Sequence, residues 1–341
     1  MFPHILPKRY FDKVLDVAPP DLLLLKRMQN LPAMIDMDVR LRIMERYEGY
    51  VQVLTLAAPA IELLGWPDVT PDLAKLAKLA KLANDSMAEE VAAHPEQFYG
   101  FVASLPMNNP DAAVKEIDRA IGDLGATGIQ LYSNVLGKPL DSPEFEPIFA
   151  RMAEIGLPVW LHPTRTPGVA DYFGESRSYF DLWWAFAWPY ETSNAMGRMV
   201  FAGFFDKWAN LEIITHHCGA MIPYFDGRVG GGLDQLGERS DDPTDVAALA
   251  KLSKRPIDYF RMFYGDTALF GSVAGLQCGL SFFGAEHVLF GTDFPMDPEK
   301  GPGFIRDTLA AIDQVNASAD DKAKILEGNA RRMLKLRLPG S

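Results

Sequence analysis

The 341-residue chain is poor in cysteine: Cys218 and Cys278 are its only two. That excludes a disulfide framework and makes a reducing cytoplasm the expected compartment. A basic excess is also absent, since 33 Lys and Arg stand against 45 Asp and Glu, a net charge of −12 with His neutral. Phosphate backbones and anionic membranes need a concentrated basic surface, so neither nucleic acid nor membrane is an expected partner. No apolar run approaches the roughly 20 residues that span a bilayer, and the N-terminus shows no charged-then-apolar leader. No Ser/Gly-rich linker divides the chain, so a single domain over residues 1–341 is expected.

What the chain does have is a 48% hydrophobic composition arranged in short runs. Seven of them read as buried strands: Tyr50–Ala57, Phe98–Pro106, Gly128–Tyr132, Pro158–His162, Leu211–His217, Met262–Asp266 and His287–Asp293. Between them lie helical patterns with start signals, Asn109-Pro110 and Ser142-Pro143, each a capping residue followed by proline. Gly156 marks a helix end two residues before the next strand. Strand and helix in alternation imply a parallel sheet covered by helices. The reactive residues His162, His216, His217, Asp266 and Asp293 all fall at C-terminal strand ends, where (β/α)₈ barrels build their active sites. A doubly wound sheet usually carries a Gly-rich phosphate loop instead, and none follows these strands. The expected fold is α/β, a (β/α)₈ TIM barrel, which requires eight strands.

Two segments stand apart. Leu73–Leu82 reads LAKLAKLAKL and continues in strong helix formers, which predicts a long surface helix. A period of three drifts around a helix, so its leucines cannot all face one stripe. Residues 164–190 hold Tyr172, Phe173, Tyr179, Phe180, Trp183, Trp184, Phe186, Trp188 and Tyr190. So long an insertion after a strand end reads as a lid over a pocket, or as a packed helical excursion.

Strand alternation puts Pro158, Trp160 and His162 on one face, and Leu289, Gly291 and Asp293 on one face. Imidazole and carboxylate at neighbouring strand ends are the donors that zinc or manganese accepts. Gly291 is expected to leave space beneath the Asp293 carboxylate. His216 and His217 are adjacent, so on a strand only one can enter the lumen, and alternation alone does not decide which. The inward one is a candidate ligand or acid/base.

WLHPT at 160–164, ITHHCGAMIPYFDGRV at 214–229, FGTDFP at 290–295, WPYET at 188–192 and LEGNARRMLKL at 326–336 together resemble the aminocarboxymuconate semialdehyde decarboxylase branch of the amidohydrolase-related superfamily. The resemblance implies a divalent metal, zinc first and manganese as the alternative, held by His162 and Asp293. It implies that His217 and Asp293 are catalytic, that His216 is an outward neighbour and that Asp266 supports a site residue from behind or is structural. Arg228 resembles an arginine that some members lend across a dimer interface to a substrate carboxylate, although a helix salt bridge explains it as well. Arg27 corresponds to a second carboxylate clamp, and Trp188 to a lid residue against the substrate. The implied activity is non-oxidative decarboxylation of a small carboxylated aromatic or muconate-like acid by a homodimer. The alternatives are a lactonase-like hydrolase or hydratase on the same site, and a degenerate barrel acting as a binding subunit.

One departure bears on all of this. Members of the branch open with a first strand carrying I-D-x-H-x-H, both histidines ligating metal, followed closely by an apolar pair and Pro. Here the chain opens Met1-Phe2-Pro3-His4, which reads as the stretch just after that motif. On that register H-x-H and the first strand are missing, His4 is an ordinary loop residue, and weak metal binding and an open barrel seam are expected.

Overall fold

The computed structural model describes residues 1–18, 23–65, 73–238 and 242–336; residues 19–22, 66–72, 239–241 and 337–341 lie outside the described residues. All seven apolar runs form strands, and an eighth precedes them. In chain order these are β1 (His4–Ile5), β2 (Gln52–Leu56), β3 (Phe98–Phe101, resumed as Ala103–Ser104), β4 (Ile129–Tyr132), β5 (Val159–His162), β6 (Ile213–Thr215), β7 (Tyr264–Asp266) and β8 (Val288–Leu289). Each pairs in parallel with the next along the chain. The ring closes where the His4 N–H donates to the Phe294 carbonyl at 2.7 Å, just beyond β8. The open seam expected at residue 1 is therefore not found: His4–Ile5 fills it, pairing with Thr55 and Leu56. Two residues are too short a run for sequence periodicity to register.

The helices lie outside the ring. Asn109 accepts a hydrogen bond from the Ala112 N–H and starts the helix over Pro110–Gly122. Ser142 precedes a 3₁₀ turn that leads into Glu146–Ile155, and Gly156 ends that helix at φ 65°, a left-handed conformation that glycine adopts without a Cβ penalty. The LAK repeat lies in a helix over Leu73–Ala93. Leu76, Leu79, Ala80, Ala83 and Met87 are its buried stripe and Leu73 is exposed, so the repeat does drift off the core face.

Inside the ring, Phe2, Val53, Val102, Trp160, Ile214, Tyr264 and Leu289 pack together as one buried cluster. They come from seven different strands or their flanks, and only the lumen brings such residues into contact. Side chains alternate along a strand, so the residues two positions on share that inward direction. These are His4, Thr55, Ser104, His162, His216, Asp266 and Gly291. An apolar floor thus carries a polar layer at the C-terminal mouth.

The short first strand is held by Arg40, on the helix Met37–Met44. Its fully buried guanidinium donates to the carbonyls of His4, Ala33 and Pro3 and to Gln52 Oε1. It also lies over the Phe294 ring, 4.8 Å from the centroid. Arg40→Met would leave these buried acceptors unpaired, and a stability loss of about 3 kcal/mol is expected in urea titrations; a loss below about 1 kcal/mol would show that β1 is held by other means.

Candidate metal and catalytic site

Four imidazoles and two carboxylates meet at the mouth of the barrel. Each ring is fixed through Nδ1. In His162 this atom is 2.7 Å from the Pro163 carbonyl, in His217 2.7 Å from the Ala268 carbonyl, in His216 2.5 Å from Asp266 Oδ2, and in His4 3.3 Å from Thr55 Oγ1. The opposite nitrogens turn inward. Ligating atoms of His4, His162 and His216 lie within 4.8 Å of one another, as do those of His216, His217 and Asp293. Asp293 Oδ1 is 3.1 Å from His4 Nε2 and 3.3 Å from His216 Nε2. His4 Nε2 is buried, and Asp293 Oδ1 is its polar contact among the described residues. Anchored far nitrogens and converging near ones are how metal-ligating histidines are held.

The structure brings both histidines of the adjacent pair into the site, which corrects the expectation that only one could enter. Ile214 is in the lumen cluster, so His216 faces inward by alternation. Beyond Thr215 the strand ends, and His217 and Cys218 take positive φ of 59° and 54°. The turn folds the His217 ring over that of His216, with centroids 3.8 Å apart and planes 26° apart. His216 is thus no outward neighbour. Asp266 accepts from His216 and from the Cys218 and Ala268 N–H groups, an orienting role as expected. Gly291 makes room for Asp266, not for Asp293: a Cβ there would lie 3.0 Å from Asp266 Cβ.

Above this layer lies a cavity of about 270 Å³, near the lower end of small-molecule pockets. His217 and Asp293 face it, with Arg27, Trp183, Trp184, Trp188 and Phe270 among its walls. The Trp188 ring stands edge-on to His162 at 5.4 Å, its Nε1–H donating to the Arg165 carbonyl. The Arg27 guanidinium lies 5.1 Å from the centroid of Trp184. The aromatic insertion is therefore divided: its tryptophans line the cavity, while Tyr172, Phe173, Phe180, Phe186 and Tyr190 are exposed. Arg228 lies elsewhere. It is exposed and lines a separate cavity of about 910 Å³ with Asp141, Arg198 and Phe225.

Electrostatics separate the histidines. Burial pushes His217 down to about 4, and neighbouring His216 adds to the shift. Burial also lowers His4 and, more strongly, His162. Burial opposes charge on His216 as well, but Asp266 and Asp293 outweigh it and raise the ring to about 9. Asp293, despite burial, is held well below the usual carboxylate range by His216 and His4.

The amidohydrolase family model matches residues 29–336. The chain belongs to the amidohydrolase family. It is 31% identical to a γ-resorcylate decarboxylase of Rhizobium radiobacter, over 88% of this chain and 87% of that protein. It is 30% identical to a 2-amino-3-carboxymuconate-6-semialdehyde decarboxylase of Dictyostelium discoideum, over 88% of this chain and 77% of that protein. Its fold matches a crystal structure of a dihydroxybenzoic acid decarboxylase from a Polaromonas species with bound manganese and 2-nitroresorcinol. The TM-score there is 0.75 at 25% identity, covering 98% of this chain and 95% of that one.

Within this amidohydrolase the first-strand register must be corrected. The family motif ends in His, an apolar pair and Pro, and His4-Ile5-Leu6-Pro7 is that ending. His4 therefore stands at the second histidine of H-x-H, one per cent exposed and in the site rather than in a loop. Phe2 stands at the first. The Ile-Leu-Pro sequence was the signal that could have found His4; no sequence pattern pointed to His216 over His217.

A histidine whose pKa is raised on folding adds stability that is whole below its unfolded value, near 6.5, and is lost as pH rises through the folded value. Chelator-treated protein is therefore expected to lose stability between pH 7 and about 9. The neutral histidines act oppositely below about 6.5. His216→Asn should flatten the alkaline slope in thermal melts; an unchanged slope would mean another group produces it.

Proposed function

We propose that the chain is a metal-dependent, non-oxidative decarboxylase of a small hydroxylated aromatic acid, working as a single catalytic domain. The observation that carries this is the joint lining of one aromatic-walled cavity by His217 and Asp293, directly above converging imidazole nitrogens. The donors suit a divalent ion: neutral imidazoles at His4 and His162 beside one ionised carboxylate, Asp293. His4, His162 and Asp293 would hold it. Manganese is supported by the structural relative and zinc by the nitrogen-rich donor set. Such an ion supplies Lewis acidity toward substrate oxygens.

The chain's own residues then bind, orient and move a proton. Arg27 is the cation at the cavity and pairs with the substrate carboxylate, overcoming the global −12 charge locally. Trp183, Trp184 and Trp188 hold a planar ring and exclude water. A proton is delivered to the ring carbon that bears the carboxylate. The bond from that carbon to the carboxylate then breaks, its electron pair stays with the ring, and carbon dioxide leaves. The proton comes from the substrate hydroxyl beside the carboxylate. Neutral His217, its Nδ1–H donating to the Ala268 carbonyl, takes it at Nε2 and passes it to this carbon, and Asp293 faces the same space. The phenolate product regains a proton from solvent. Arg228 lies outside the aromatic-walled cavity of its own chain, and in a homodimer it would serve the partner's site or the interface.

Carbon dioxide release from 2,6-dihydroxybenzoate and related acids is the test. Release is expected to fall with chelator, to return with manganese or zinc, and to drop about 10²–10⁴-fold in His217→Asn. Arg27→Met should raise KM by about tenfold or more with a smaller change in kcat. Undiminished turnover in His217→Asn would remove that residue from the chemistry, and full activity after metal removal would contradict the metal-dependent reading.

A further inference from the structure

We infer that His216 serves as the metal ligand that the first strand lacks, so that the cation of this chain is held by His4, His162, His216 and Asp293. The inference rests on the metalloenzyme reading above and specifies the ligand set through which this sequence achieves it.

Three observations carry it. Phe2 occupies the first-strand position where the family pattern has a histidine, and a phenyl ring offers no lone pair. It is fully buried, and its ring stacks on that of His216 with centroids 4.1 Å and planes 22° apart. The first-strand position without a donor and the His216 ring thus meet at van der Waals contact. Trp160 lies edge-on to Phe2 at 5.0 Å and backs the stack.

The second observation is the way His216 is held. Its Nδ1 is bonded to Asp266, and Asp266 is fixed by the Cys218 and Ala268 N–H groups. A carboxylate behind an imidazole orients the ring and raises its basicity toward a metal on the far side. His162 and His4 carry their own oxygen anchors at Nδ1, and ligating atoms of the three rings lie within 4.8 Å of one another.

The third observation is the buried His4 Nε2, which is 3.1 Å from Asp293 Oδ1 and lies in the same space as the other donors. An ion bound by His216 Nε2, with that nitrogen's proton released to solvent, would also engage His4, His162 and Asp293. His217 is assigned elsewhere: its Nδ1 is held by the Ala268 carbonyl and its ring lines the cavity that receives the substrate, where the proton transfer takes place.

Manganese-loaded protein tests the inference without reference to turnover. Pulsed electron paramagnetic resonance of the wild type, with ¹⁵N-histidine as control, is expected to show three coupled imidazole nitrogens. His216→Gln should lose one coupling and bind manganese at least about tenfold more weakly. Phe2→His combined with His216→Gln should regain three couplings and most of the affinity by restoring the family arrangement. Two couplings in the wild type, with unchanged affinity in His216→Gln, would overturn the inference and leave the metalloenzyme reading standing. A wild type that binds neither manganese nor zinc yet releases carbon dioxide would overturn both.

Discussion

The Asp293 carboxylate is the constraint around which the mouth of the barrel is built. It is buried, and among the described residues neither lysine nor arginine reaches it; its ion-pair partners within 4 Å are His4 and His216. A carboxylate taken out of water must be balanced by hydrogen-bond donors or by a cation. Here the balance comes from imidazoles, which donate when protonated and ligate when not. The same ring of residues is therefore consistent as a folded core and as a seat for a divalent ion.

Placing those imidazoles is a task shared by the whole barrel. The apolar layer of Phe2, Trp160 and Ile214 sets the heights of His4, His162 and His216, because each polar residue lies two positions beyond an apolar one. The shortest strand is the critical part. Arg40 binds the carbonyls of Pro3 and His4 and lies over Phe294, the residue after Asp293. One side chain from an outer helix thereby fixes the backbone of one candidate ligand and the neighbourhood of another, which makes it a positioning residue with no contact to the cavity.

Much of this was legible in the sequence wherever a simple rule applies along several residues. Seven strands were readable because each is an apolar run bounded by helix signals, and His162 because alternation from Trp160 carries it inward. Asp293 lies four residues beyond β8 at φ 58°, where alternation no longer holds, and enters the site through that turn. Legibility ended where the rule did. β1 has two residues, too few for a pattern, and its motif register slid because Phe2 had replaced the expected histidine. Alternation said that His216 and His217 must diverge, but the left-handed turn at His217 and Cys218 begins two residues beyond the end of β6 and stacks them instead. Arg228 illustrates the opposite limit: the motif around it is readable, yet its exposure on a different cavity belongs to the surface of the fold rather than to any local pattern.

The most direct measurement is a crystal structure of manganese-soaked protein with anomalous diffraction recorded at the manganese edge. The account predicts one strong peak at the barrel mouth, in ligand contact with His4, His162, His216 and Asp293 and separated from the aromatic-walled cavity by no other side chain. A peak at any other place, or none at full soak, would contradict it.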